Sequence, residues 1–174
     1  MEKVKRMVGK TGRIQSLGGE PPRAMPAALQ EVFFCISRAF YAYIACLEEA
    51  LARNRLAEHV RPGMGHILFA LFDEDDVIIK NLVQRTELSP SALTRILAEM
   101  ERRDLITRQR DKNDGRATRV RLTRLGKSLK GRCNQTLADV HRITCGDLPD
   151  RDIDAVTRGL TQMIANMRSQ DNQR

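Results

Sequence analysis

Apolar positions recur at spacings of three and four along most of this chain, and at a spacing of two over one short stretch. That change of period lays out the expected elements. Residues 26 to about 56 place Leu29, Phe33, Ile36, Phe40, Ile44 (with Tyr43), Leu47 and Leu51 on one stripe. The pattern predicts a helix of about 28 residues, far above the usual mean of about 11–12. Pro26 suits its first turn. Pro62 and Gly63 break the chain, and residues 64–72 form a second helix with Ile67, Leu68, Leu71 and Phe72 turned inward. The acidic run 73–76 reads as a solvated loop and, with no His or Cys beside it, as a poor metal cage. A short helix follows over 78–86, held by Leu82 and Val83. Ser89 and Pro90 then read as N-cap and first residue of a helix to about residue 103. Leu93, Ile96, Leu97 and Met100 line one face; Ser91, Ala92, Thr94, Arg95, Ala98 and Arg102 line the other.

The period then falls to two. Residues 105–110 form a strand, and 117–122 alternate Thr118, Val120 and Leu122 against Ala117, Arg119 and Arg121. Between them 111–116 is polar and turn-forming, so the pair reads as a hairpin with a charged tip. Thr123 caps one helix from 124 to about 144, striped by Leu125, Leu129, Cys133, Leu137 and Val140. Leu148-Pro149-Asp150 restarts the chain, and a last stripe runs through Ile153, Val156, Leu160, Met163, Ile164 and Met167. The fold class is mostly α with a small β-hairpin wing. Residues 1–25 hold four of the eleven glycines plus Pro21 and Pro22, keep no period, and read as a flexible basic arm. Gly9-Lys10-Thr11 is like the tail of a phosphate loop, but Val4 stands where that loop needs Gly and no strand precedes it.

Composition narrows the classes. A chain of 174 residues suggests one domain, or one domain with an oligomerisation element. Aromatic residues are 4% and Trp is absent, so the core is aliphatic and base stacking on single strands is disfavoured. No apolar run approaches the roughly 20 residues of a bilayer span, and no apolar stretch follows the first basic residues as in a secretory signal. The expectation is a cytoplasmic protein with no membrane partner. Cys35, Cys46, Cys133 and Cys145 are then reduced thiols. They form no CxxC or Cys/His ligand spacing, so no metal or other cofactor is expected, and no nucleophile–base pair points to an enzyme.

Charge changes the picture most. The net +8 is not spread evenly: residues 78–132 carry 15 Lys and Arg against 6 Asp and Glu, a balance of +9. The remaining 119 residues carry 15 against 16. Residues 1–24 balance at +4 and residues 25–77 at −4. Basic residues gathered on one segment suggest an anionic polymer. The segment that gathers them is also the short helix, tight turn, capped helix and hairpin. The major groove of duplex DNA accepts one α-helix, and Ser91, Ala92, Thr94 and Arg95 stand where such a helix meets base edges. The Ser89-Pro90 start offers free N–H groups to a phosphate. The hairpin tip would reach the adjacent minor groove, where Arg is favoured. Arg116 is the inserting residue, with Asp114 orienting its guanidinium. Arg108, Arg110, Lys112, Arg119 and Arg121 would neutralise flanking phosphates. For Asp114 and Arg116 alone, an ordinary exposed ion pair would explain as much; Lys80 and Arg85 fit a solvated face as well as a phosphate.

Residues 82–127 resemble the winged helix-turn-helix of the MarR (multiple antibiotic resistance regulator) family. The resemblance rests on Leu88-Ser89-Pro90-Ser91-Ala92-Leu93-Thr94-Arg95, Glu101-Arg102-Arg103-Asp104-Leu105-Ile106, Asp111-Lys112-Asn113-Asp114-Gly115-Arg116-Ala117 and Leu122-Thr123-Arg124-Leu125-Gly126, in that order. The flanking helices match the family layout over about 27–168. The resemblance implies a homodimer on a pseudo-palindromic operator, often released by a small molecule, with 26–60 and 123–170 as dimerisation region and 61–122 as DNA-binding domain. Three positions depart from the pattern: Ile78 for a capping Ser or Thr, Val83 for a small residue, and Glu87 for Gly. The turn at Glu87 must then be made without the left-handed freedom of Gly, or the residue must sit at negative φ.

One branch of that family senses organic peroxides through a Cys in its first helix with Tyr partners. Cys35, with Tyr41 and Tyr43 after it, occupies that region, although a buried thiol on a dimer helix would look the same. His59 and His66 flank the Pro62-Gly63 break, near where family members hold phenolic or carboxylate effectors. They are candidate contacts for a small aromatic or anionic effector, beside Phe40, Met64, Phe69 and Phe72. Two functions thus stand from the sequence. One is a homodimeric, sequence-specific double-stranded-DNA-binding repressor relieved by a small molecule or oxidant. The other is a winged-helix protein-interaction module without DNA readout, favoured only by Val83 and Glu87.

Overall fold

The structure is a computed structural model, and it describes residues 26–171. The proposed arm at 1–25 lies outside those residues. The chain divides into two compact units, residues 1–38 and 39–174. Of the first, the described part is Pro26 and the first turns of helix α1 (Ala27–Arg53). The second contains the rest of α1, α2 (Gly65–Asp73), β1 (Val77–Ile78), α3 (Ile79–Thr86), α4 (Pro90–Arg102), β2 (Ile106–Arg110), β3 (Thr118–Leu122), α5 (Arg124–Ser128), α6 (Lys130–Cys145) and α7 (Asp150–Asp171).

The core of this unit is aliphatic. Ile67, Leu68 and Leu71 of α2, Leu82 of α3, and Leu93, Leu97 and Met100 of α4 are buried together with Leu105, Ile106, Val120, Leu122 and Leu129. Their spacing of three, four and seven puts each set on one helical face. Burying a residue such as Leu97 is worth about 1.5–3 kcal/mol of transfer free energy. The hairpin is joined by a third strand that the sequence pattern does not show. β1 pairs antiparallel with β3, Val77 opposite Val120, giving the order β1-β3-β2. A two-residue strand has no period to read. In the hairpin Ile106 faces Leu122 and Arg108 faces Val120, which sends Val120 and Leu122 to the core.

Three helix ends turn on a left-handed residue other than Gly. Arg55 (φ 55°), Glu87 (φ 54°) and Asp104 (φ 56°) follow α1, α3 and α4. Glu87 thus takes the first of the two alternatives, a left-handed turn made without Gly. The last turn of α3 is closed by its N–H on the Val83 carbonyl (3.1 Å), and the left-handed backbone of Glu87 then turns the chain out of the helix. Arg168 of α7 supports the residue, donating to Glu87 Oε2 at 2.6 Å and to its carbonyl at 3.3 Å. After α4, the Leu105 N–H reaches back to the Met100 carbonyl (2.9 Å) and launches β2.

The single helix expected over 124–144 is two. α5 ends at Ser128, Leu129 bonds back to Gly126 (3.2 Å), and α6 restarts at Lys130. The short first piece also makes a close approach at Gly126. A Cβ there would lie 2.2 Å from the Leu105 carbonyl oxygen, so only Gly lets α5 seat on the start of β2. Thr123 caps α5 as expected, accepting from the Gly126 N–H at 3.0 Å, and its hydroxyl donates to the Asp104 carbonyl.

α7 is different. Val156, Leu160, Ile164 and Met167 stay exposed along it, as do Leu137 and Ile143 of α6. α1 carries Phe40, Tyr41 and Tyr43 exposed in the second unit, and Phe33 and Phe34 exposed in the first. Among the described residues, no helix is long and apolar enough to cross a membrane.

Candidate nucleic-acid interface

α4 begins at a side-chain cap. Ser89 is extended (φ −62°, ψ 148°), its Oγ accepts the Ala92 N–H at 3.2 Å, and Pro90 opens the first turn. The apolar stripe of α4 faces the core, so the opposite face is left outward: Ser91, Thr94, Arg95 and Ala98 are exposed, and Ala92 is half-buried. Thr94 gives its hydroxyl proton to the Pro90 carbonyl (2.8 Å), leaving the oxygen as an outward acceptor. Among the described residues Arg95 makes no ion pair. Short hydroxyls and one free guanidinium at a helix start are the donors and acceptors that base edges and phosphates take.

The wing divides its cations into two groups. Arg110, Lys112 and Arg116 are exposed, and among the described residues no carboxylate pairs with them. Arg108 and Arg119, which the sequence offers as phosphate contacts, are instead held inside the domain. Arg108 places Nε and Nη2 on Glu101 Oε2 of α4 (2.9 and 2.5 Å). Arg119 places Nε on Asp76 Oδ1 (2.8 Å) and Nη1 on Asp111 Oδ2 (2.8 Å), and donates through Nη2 to the Asp76 carbonyl. Arg121 also pairs with Asp76 (2.5 Å).

The acidic run is therefore only half a solvated loop: Asp73 and Glu74 are exposed, whereas Asp75 and Asp76 are half-buried. Asp75 accepts the Leu122 N–H at 2.8 Å and pairs with Lys127 at 2.9 Å. Asp73 and Glu74 take Arg85 at 2.5 and 3.1 Å, which removes Arg85 from the free cations. Sequence reasoning missed Asp75 and Asp76 although a signal was present. Arg119 and Arg121, two apart on one strand, share a face, and like charges that close are costly unless carboxylates meet them.

Asp114 does not orient the Arg116 guanidinium. It accepts the Arg116 backbone N–H (3.0 Å), while Asp111 Oδ1 accepts the N–H groups of Asn113 and Asp114 (2.8 and 2.9 Å). The two carboxylates build the turn and leave the guanidinium outside it. The Arg119 side chain first, then those two N–H groups, hold the Asp111 carboxyl down at about 2. Arg121 and Arg119 likewise hold Asp76 below the usual carboxylate range, and Arg108 does so for Glu101. Thr107, Gln109, Arg110, Lys112, Asn113 and Arg121 are among the residues lining a groove of about 360 Å³ on this hairpin.

A second hollow of about 460 Å³, mostly apolar, is lined by residues of α1, α2 and α6 and of the turn at Arg61–Gly63. It includes His66, Phe40 and Phe69 from the expected set, with Tyr43, Arg61, Cys133 and Thr136. His59 is not among its lining residues, Met64 is part of the buried core, and Phe72 packs edge-on against Phe69 at 5.8 Å. Cys133 is 5% exposed, and burial pushes its thiol up to about 11. Cys35, in the first unit, is exposed rather than buried, with Arg38 Nη2 at 3.8 Å from its sulfur. Among the described residues no cluster of His, Cys, Asp and Glu could hold a metal.

Residues 62–118 match the MarR family. The chain is 32% identical over 78 residues to the HTH-type transcriptional regulator SarZ of Staphylococcus aureus (strain USA300), a match that covers 44% of this chain and 53% of that protein. The chain thus spans about half the length of the curated relatives it matches. Among solved structures it is similar to the PcaV transcriptional regulator of Streptomyces coelicolor in complex with its natural ligand, with TM-score 0.67 and 22% identity over 82% of this chain and 97% of that one. Reduced AbfR bound to DNA gives TM-score 0.62 and 17% identity, covering 80% of this chain and 93% of that one. At such identities the likeness establishes the fold.

Proposed function

With a winged helix-turn-helix of the MarR family as its central part, this chain is one that we propose works as a homodimeric, sequence-specific transcriptional regulator of double-stranded DNA, in the cytoplasm and without enzymatic activity. One observation carries the reading. The face of α4 that opens at Ser89 is exposed and polar, and the same domain leaves only Arg110, Lys112 and Arg116 of its wing cations without an internal carboxylate. α4 reads the major groove through Ser91, Ala92, Thr94 and Arg95, with Ser89 and Pro90 on phosphate; the wing sets Arg116 in the minor groove. Residues 26–60 and 123–170 form the dimer, whose two reading helices meet half-sites one duplex turn, about 34 Å, apart. The exposed apolar stripe of α7 supports that assembly.

The regulator acts as a repressor. A small aromatic or anionic effector seated near His66 and Arg61 in the 460 Å³ hollow, or oxidation at the exposed Cys35, releases DNA. Fluorescence anisotropy on duplex DNA from upstream of its own gene tests the core of this reading. A preferred sequence and an affinity that falls steeply with salt are expected. Arg116→Ala should cost about 1–3 kcal/mol of operator binding and leave the dimer intact. Equal affinity for all duplexes, or binding indifferent to salt, defeats it; a captured protein partner with no duplex affinity would favour an interaction module instead.

A further inference from the structure

The hairpin and its approaches carry six cations between residues 106 and 122, and the acidic run decides which of them are available. Asp76 sits at φ 62°, in the left-handed region, where a non-Gly residue is strained unless its surroundings hold it there. What holds it are two arginines of β3. Oδ1 takes Arg119 Nε, Oδ2 takes Arg121 Nη2, and the carbonyl takes Arg119 Nη2. Arg119 is then closed from the far side by Asp111 at the wing tip. The brace therefore runs from the loop before β1, along β3, to the tip. It uses up both arginines that share the face with Thr107 and Gln109. Arg110, Lys112 and Arg116 on the same hairpin have no such carboxylate among the described residues.

From this geometry we infer that Asp76 is a positioning residue: it withholds Arg119 and Arg121 from phosphate, so the wing meets a duplex with three cations rather than five. The inference rests on the DNA-binding reading above. Phosphate neutralisation favours all sequences alike and steepens salt dependence by about 0.9 per phosphate. Withholding two guanidinium groups lowers the sequence-independent share of the affinity and its salt dependence on any duplex, and leaves the ratio between operator and random duplex to the base contacts.

The test uses the full-length chain and two duplexes, its operator and a scrambled one, titrated across a salt series. Asp76→Asn keeps the size and left-handed tolerance of the residue and removes its charge. It should steepen the salt slope on the scrambled duplex by about 0.9 if Arg121 alone is freed, and by up to about 1.8 if Arg119 follows. The operator-to-scrambled ratio should stay near its wild-type value, because both duplexes gain the same phosphate contacts. Arg121→Ala in the wild-type background should leave the slope unchanged; added to Asp76→Asn it should take back about 0.9. A merely structural role would weaken binding without steepening the slope. An Asp76→Asn slope equal to wild type, or a shallower slope for Arg121→Ala alone, overturns the inference. If Asp76→Asn fails to fold, the Arg121→Ala arm still decides it. Wild-type protein that binds neither duplex overturns the DNA reading itself, whereas wild-type binding with no slope change overturns only the role of Asp76.

Discussion

The winged segment and the C-terminal helix solve opposite problems. Between Val77 and Leu122 the apolar side chains are closed away: Leu82, Leu93, Leu97, Met100 and Val120 are at or below 1% exposure, and the surface they leave is ionic. Along α7, Val156 is 55% exposed and Met167 63%. The first region is a finished domain whose unmet groups are charges. The second is an exposed apolar stripe, and a stripe of that length left in water is unfavourable at roughly 25 cal/mol per Å². A chain can therefore hold two kinds of incompleteness side by side, one of unmet charge and one of uncovered apolar surface.

The sharpest way to break this contrast is to strike each region at its centre. Leu97→Ala in the wing core should cost about 2–5 kcal/mol of unfolding free energy, read by thermal or urea melts. Leu160→Asp on α7 should leave helix content unchanged by circular dichroism and convert dimer to monomer by sedimentation. If Leu160→Asp unfolds the chain instead, α7 is core and the contrast fails. Smaller effects sharpen it within the wing. Ser89→Ala removes the cap of α4 and should cost about 1 kcal/mol, while dimerisation stays untouched. Glu87→Gly should be more stable than Glu87→Ala by about 1 kcal/mol, because both lose the Arg168 pair and only Gly relieves the left-handed backbone. Chemical denaturation of the two variants decides the sign.

The smallest effect is on pH. Asp111 is ionised in the fold down to about 2, against an ordinary 3.8. A lowered folded value means that the stabilisation is whole above the unfolded value and is lost as pH falls through the folded one. The brace at the wing should therefore hold to about pH 4 and weaken toward pH 2. Melting temperatures over that range should fall less steeply for Asp76→Asn than for wild type, since one of the lowered carboxyls is gone.

What the sequence shows of this arrangement follows from how local each cause is. The order of helices and hairpin is legible because Leu93, Leu97 and Met100, or Val120 and Leu122, state their period within a few residues. The N-caps at Ser89 and Thr123 are legible for the same reason. β1 is not, because two residues show no alternation and Val77 becomes a strand only by meeting Val120. The break before α6 is equally hidden, since the chain turns at Leu129 with no proline to mark it. In the candidate site, the outward residues of α4 and the exposed Arg110, Lys112 and Arg116 stand where the pattern puts them. Arg108 and Arg119 do not stand free. Asp76 and Arg119 are 43 residues apart, and no periodicity carries that pairing.

Cys133 gives the molecule a clock. Its thiol is enclosed beside the apolar hollow and held near 11, whereas Cys35 is open to water. A thiol-directed reagent at neutral pH meets almost no thiolate at Cys133 until the core around Leu51 and Leu129 parts. The delay before that fourth label arrives measures how often the interior opens. A ligand filling the hollow that Cys133 lines would lengthen the delay, whatever its chemical identity.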